Sequence, residues 1–283
     1  MTSDIFANLC TVLGMSFMKT AMLTALLAAV ACGLVGTLVA ANRMLFLTGG
    51  VAHAAYGGVG LALFLSLPVL PVTLLFSILA ALLMSHLAVK SRMGTETSIG
   101  VLWAVGMAMG ILLMDLTPGY RTDLGSYLFG SILAVSQTDM LLMLALDVIL
   151  LLVVVFAYQS LLAFSFDRTF AASRGLPVNF IHHLLVVMSA MTVVMLIRVV
   201  GLLLVMALFT IPPAMAMRYT RALWSTMCLA VLNSAVFCVL GLIVAILFDL
   251  SCGPVIILVA CTGFGLSTLL QKLRKVTQSA SQT

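Results

Sequence analysis

Apolar residues in this chain come in long runs, one after another along nearly its whole length, with short polar breaks between them. Each run is close to the roughly 20 residues that a helix needs to cross a hydrocarbon core about 30 Å thick. Nine spans are predicted: residues 20–41, 51–67, 70–89, 96–114, 139–163, 179–197, 199–217, 222–248 and 254–271. The second is short and has five glycines within or just before it, Gly49, Gly50, Gly57, Gly58 and Gly60. It is therefore expected to be broken or to enter at an angle, and eight full crossings plus one irregular segment fit the pattern equally well. Backbone that leaves regular helix at membrane depth must face protein or a watery cavity, which marks residues 48–60.

Composition agrees: 64% of the 283 residues are apolar and 7% are charged, against roughly 25% charged in soluble domains. The expected class is all-α, a polytopic membrane protein with eight or nine helices and one transmembrane domain over residues 1–283. The first apolar run exceeds the roughly 7–15 residues of a signal-peptide core, so it is expected to remain as the first span.

Cytoplasmic loops concentrate Lys and Arg near span ends. A cytoplasmic C-terminus places Arg43, Lys90, Arg92, Arg168, Arg174, Arg218, Arg221, Lys272, Arg274 and Lys275 inside, leaving Lys19, Arg121 and Arg198 outside or within a span. Nine spans then put the N-terminus outside. This bias accounts for the net charge of +5 without a nucleic-acid partner. The six cysteines show no C-x-x-C spacing and read as small apolar residues.

A long polar break, FSFDRTFAASRGLPVNFIHH at 164–183, falls on the cytoplasmic side. It predicts a short amphipathic helix. Asp167 is placed to cap its start, Ala171 and Ala172 favour helix, Gly175 can take the left-handed terminating conformation, and Pro177 prevents continuation.

Residues 164–177 resemble the coupling helix by which permeases of type II ABC importers engage their ATPase. Phe166, Asp167, Ala171, Gly175, Leu176 and Pro177 match its F-D-x-x-x-A-x-x-x-G-L-P pattern. Four further stretches resemble the zinc, manganese and iron permeases of that class: Gly49–Leu65 with His53 on the family histidine, Thr95–Trp103 with Glu96 on an acidic position, Tyr127–Met140, and Arg198–Ala216. The chain departs from the family pattern at Gly49, where an aspartate is common, and at Ala52, where a serine is. The resemblance implies a type II ABC importer permease in a bacterial or archaeal cell membrane. It implies a homodimer, a separate cytoplasmic ABC ATPase and an extracytoplasmic metal-binding protein, with zinc ahead of manganese and iron as cargo.

Ionisable groups within spans are costly and are functional candidates by default. His53, among Ala and Gly, is expected on the cation path. Glu96, the only glutamate, reads equally as a path residue or as a helix N-terminal carboxylate favoured by the macrodipole. Asp147 and Asn233 read as helix-to-helix hydrogen-bonding groups, Arg198 as a snorkelling residue at the outer interface, and His182 and His183 as solvated loop residues. The nineteen methionines read as adaptable packing. No phosphate-cradling G-x-x-x-x-G-K-[ST] occurs, so ATP hydrolysis and any resident cofactor are not expected of this chain. A type II importer for haem, cobalamin or a siderophore, or an ion-driven secondary transporter, are the alternatives.

Overall fold

The structure is a computed structural model that describes residues 15–90, 95–118, 130, 132 and 135–280. Cys10, Arg92, Arg121 and most of the stretch from Tyr127 to Ser136 lie outside the described residues. The described elements are α1 Ser16–Ala41, α2 Leu45–Phe64, α3 Val69–Lys90, α4 Thr95–Asp115, α5 Gln137–Phe166, α6 Arg168–Ser173, α7 Val178–Val200, α8 Leu202–Tyr219, α9 Leu223–Leu247 and α10 Cys252–Ala280. Among the described residues, nine helices, all but α6, are long and apolar enough to cross a membrane.

The largest correction concerns α2. It is one continuous helix through all five glycines, so residues 48–60 are not irregular. The glycines serve close approach to α4. A Cβ built on Gly57 would lie 2.7 Å from the carbonyl oxygen of Gly106, and one on Gly110 would lie 2.5 Å from that of Tyr56. Gly60 meets the Gly110 backbone. Small residues let helix backbones approach in this way, and they set α2 and α4 parallel, with Gly50 opposite Ile99 and Gly60 opposite Gly110.

Helix α1 is the central post, packed against α5, α7, α8 and α9. Its small face accepts α9 closely: a Cβ on Gly33 would lie 2.5 Å from Val231 N. The α2–α3–α4 group joins this core chiefly through α3 and α7. Several hydroxyls buried in the spans bond within their own helices, as suits a site without water: Thr37 donates to Gly33 O at 2.7 Å and Thr192 to Met188 O at 2.8 Å, whereas those of Thr73, Ser77 and Ser234 have no hydrogen-bond partner among the described residues. Pro212 and Pro213 lie inside α8, where each removes a helical N–H donor.

Two of the boundaries that differ from expectation bear on the site. The second span begins at Leu45, not residue 51, because its glycines do not break it. The break between the sixth and seventh spans falls at Gly201 with φ 87°. Arg198 is therefore in the last turn of α7, and its Nε donates to Asp139 Oδ1 at 2.9 Å.

Candidate functional site on the α2–α4 seam and the α6 turn

His53 lies eight residues into α2, about 12 Å along its axis. Trp103 of α4 stacks on it, with ring centroids 4.3 Å apart and planes 17° apart. The imidazole is half-buried, and its Nδ1 is buried with no hydrogen-bond partner among the described residues. An orphaned buried ring nitrogen calls for an explanation, and an intermittently bound cation is one. Beside it, the missing side chain of Gly49 leaves room for α8: a Cβ there would lie 2.9 Å from Met206 Cε.

Glu96 is not brought to His53. It is exposed in the first turn of α4, seven residues before Trp103 and so about 10 Å nearer the Thr95 end of that helix. The two predicted path residues stand at different depths. No group of three or more His, Cys, Asp or Glu side chains that could hold a metal occurs among the described residues. The five described cysteines are free.

Asp147 is 5% exposed, and neither carboxylate oxygen has a hydrogen-bond partner among the described residues. The expected helix-to-helix hydrogen bond is absent there. The solvated-loop reading of His182 also fails. It lies in α7 rather than in the break, and its Nε2 is 2.7 Å from Ser85 Oγ of α3. His183 is exposed, with Nδ1 2.6 Å from Asn179 O.

The turn between α5 and α7 forms as its residues dictate. Asp167 Oδ1 accepts from Thr169 N at 2.8 Å and Phe170 N at 3.2 Å, capping α6, and also accepts from the Thr169 hydroxyl. These donors hold its carboxyl below the usual carboxylate range. Ala171 is fully buried. Gly175 takes φ 76°, and Pro177 begins the next helix as its N-cap. Leu176 is half-buried and lines, with Gln159, Ala163, Phe166, Phe170 and Arg174, a groove of about 500 Å³. Phe166 and Phe170 are 73% and 52% exposed.

Sequence reasoning passed over Trp103, Met206 and Asp139. Trp103 carried a signal, because tryptophan normally belongs at the membrane interface and this one is mid-span. Met206 carried none among nineteen methionines.

The chain matches the ABC 3 transport family over residues 14–271. It is 44% identical over 256 residues to an uncharacterized membrane protein, slr2045, of Synechocystis sp., covering 90% of this chain and 91% of that protein. It is 30% identical over 255 residues to the manganese transport system membrane protein MntC of Halalkalibacterium halodurans, covering 90% and 87%. PsaBC from Streptococcus pneumoniae, solved in complex with a Fab, superposes with a TM-score of 0.83 at 31% identity over 94% of this chain and 95% of that one. These matches run the length of the apolar spans, and the chain belongs to the ABC 3 transport family, as a multi-pass membrane permease of a metal-ion ABC importer.

Proposed function

We propose that this permease passes a divalent transition-metal ion inward past His53 in the interior of the bundle and Glu96 at its cytoplasmic end. We further propose that residues 164–177, with Asp167, Ala171, Gly175, Leu176 and Pro177, couple that passage to a separate ATPase. The observation that carries the path is the orphaned Nδ1 of His53, held in orientation by Trp103. A neutral imidazole suits zinc, iron and, less well, manganese. A transported ion needs few and weakly held ligands, which a single histidine per chain supplies.

Coupling is supported by the exposed Phe166 and Phe170 beside a groove at the cytoplasmic end. Apolar surface on the water side marks a docking site for another protein. The permease would work as a homodimer within one transmembrane unit per chain. An extracytoplasmic binding protein would deliver the ion, and the ATPase pair would drive alternating access.

Zinc leads on donor chemistry, since α2 has no Asp or Glu and carboxylates are what suit manganese. Manganese stands on the name of the H. halodurans relative. The test is total cellular zinc, manganese, iron, copper and cobalt in metal-starved cells with the permease intact, deleted, or carrying His53→Ala. Loss of one metal in both mutants names the cargo and supports the path. No change on deletion overturns metal import, and loss on deletion with His53→Ala unaffected removes His53 from the path.

A further inference from the structure

Gly49 and His53 are four residues apart in α2, so they lie on one face, about 6 Å apart along the axis. The space a side chain at Gly49 would fill is taken by Met206 of α8. A Cβ built at Gly49 would lie 2.9 Å from Met206 Cε and 3.8 Å from Sδ. The thioether thus rests over the α2 backbone one turn from the imidazole. Met206 is half-buried rather than walled in, and its unbranched chain has three rotatable bonds, which lets the sulfur swing toward His53. Neither α2 nor α8 contains an Asp or Glu. The hydroxyls of Thr48 and Thr210 donate to carbonyls of their own helices, and the nitrogen and sulfur donors that these two helices offer beside Gly49 are the ring of His53 and the thioether of Met206.

We propose that Met206 is a soft ligand of the transported ion beside His53, so that this station prefers a borderline or soft cation such as Zn²⁺ over a hard one such as Mn²⁺. Thioether and imidazole donors favour zinc and softer ions, whereas manganese is served by carboxylates and water. The inference rests on the cation path proposed through His53, and it adds the residue that sets the path's selectivity. Met206 is otherwise packing, and packing makes a distinct prediction: a leucine of similar volume would serve as well.

The test is uptake of Zn²⁺ and of Mn²⁺, each supplied alone, into vesicles containing the permease with its ATPase and its extracytoplasmic binding protein, comparing wild type with the variants Met206→Leu and Gly49→Ala, and with His53→Ala. Leucine keeps volume and removes sulfur. Alanine at Gly49 keeps the sulfur but pushes it aside, since its Cβ meets Met206 Cε at 2.9 Å. Wild type is expected to favour Zn²⁺, and both variants to lower the Zn²⁺-to-Mn²⁺ uptake ratio, by roughly the tenfold that loss of a supporting group at a metal site brings. A ratio unmoved in both variants, whether or not total uptake falls, leaves Met206 as packing and overturns the proposal. If Met206→Leu fails to assemble, Gly49→Ala alone decides it. Preference for Mn²⁺ in wild type also overturns it while leaving metal import intact, whereas uptake of the preferred ion unchanged by His53→Ala overturns the path reading beneath it.

Discussion

Trp103 lies flat over the imidazole of His53, centroid to centroid at 4.3 Å. One face of the histidine is closed by indole, and its ring plane is set by α4 rather than by α2. Aromatic stacking of this kind contributes about 0.5–1.5 kcal/mol beyond burial. Trp103→Ala is expected to loosen the ring and weaken apparent ion affinity by roughly two- to tenfold, and Trp103→Phe to retain most of it. Concentration dependence of uptake distinguishes the two. Equal behaviour of both variants would mean that the stack does not orient His53.

The α2–α4 seam is backbone on backbone, so a methyl group has nowhere to go. Gly110→Ala would put its Cβ 2.5 Å from Tyr56 O, and Gly60→Ala would meet the Gly110 backbone. Overpacking typically costs about 1–3 kcal/mol, and here no flexible side chain can yield. Thermal unfolding of the detergent-solubilised protein should show both variants destabilised. Gly100→Ala, with nothing within 4 Å of its added Cβ, is the neutral control.

Ser85 and His182 tie α3 to the first turns of α7, just past the α6 turn, by a 2.7 Å contact at a serine only 3% exposed. Ser85→Ala removes the partner of a half-buried ring nitrogen, which costs about 1–3 kcal/mol. A lowered unfolding temperature is expected. A larger fall in metal moved per ATP than in ATP hydrolysis would show that the contact also transmits motion.

Gly175 offers a clean probe of docking. Its φ of 76° penalises any β-carbon, yet nothing lies within 4 Å of one. Asn tolerates that conformation better than other residues, so Gly175→Asn should be mild. Gly175→Leu is expected to abolish ATPase-coupled uptake by blocking the partner while the isolated permease remains folded. Retained co-purification with the ATPase would count against docking at this turn.

Asp167 has its carboxyl held below the ordinary range, first by the Thr169 hydroxyl and then by the Phe170 and Thr169 amides. A depressed folded value means that the cap stabilises α6 fully above the unfolded value of about 3.9. That stabilisation is lost only as pH falls through the lower folded value. Between pH 5 and 8 coupling should therefore show no titration from this cap. Asp167→Ala should impair coupling across that whole range and Asp167→Asn much less, because Asn caps about as well.

Much of the α6 turn was legible because its determinants are local. A cap, two alanines, a left-handed glycine and a proline act within one or two turns, and Asp167, Gly175 and Pro177 stand where their chemistry requires. The glycines of α2 misled for the opposite reason. A glycine that breaks a helix and one that admits a neighbouring helix look alike in sequence, and only Gly106 and Gly110 of α4, some fifty residues on, tell them apart.

The sequence by itself determined the order of the apolar spans to within one crossing, the clustering of Lys and Arg at their ends, and the capped turn over residues 167–177. Run length, charge placement and capping are properties of short stretches of chain against a fixed solvent. Tertiary structure alone decided that Trp103 covers His53, that Met206 fills the place of a side chain at Gly49, that Glu96 stands apart from both, and that Asp139 meets Arg198. Those pairings depend on which faces of uniformly apolar helices meet. Where every face is apolar, hydrophobic pattern carries no such information, and close packing of small residues makes the choice.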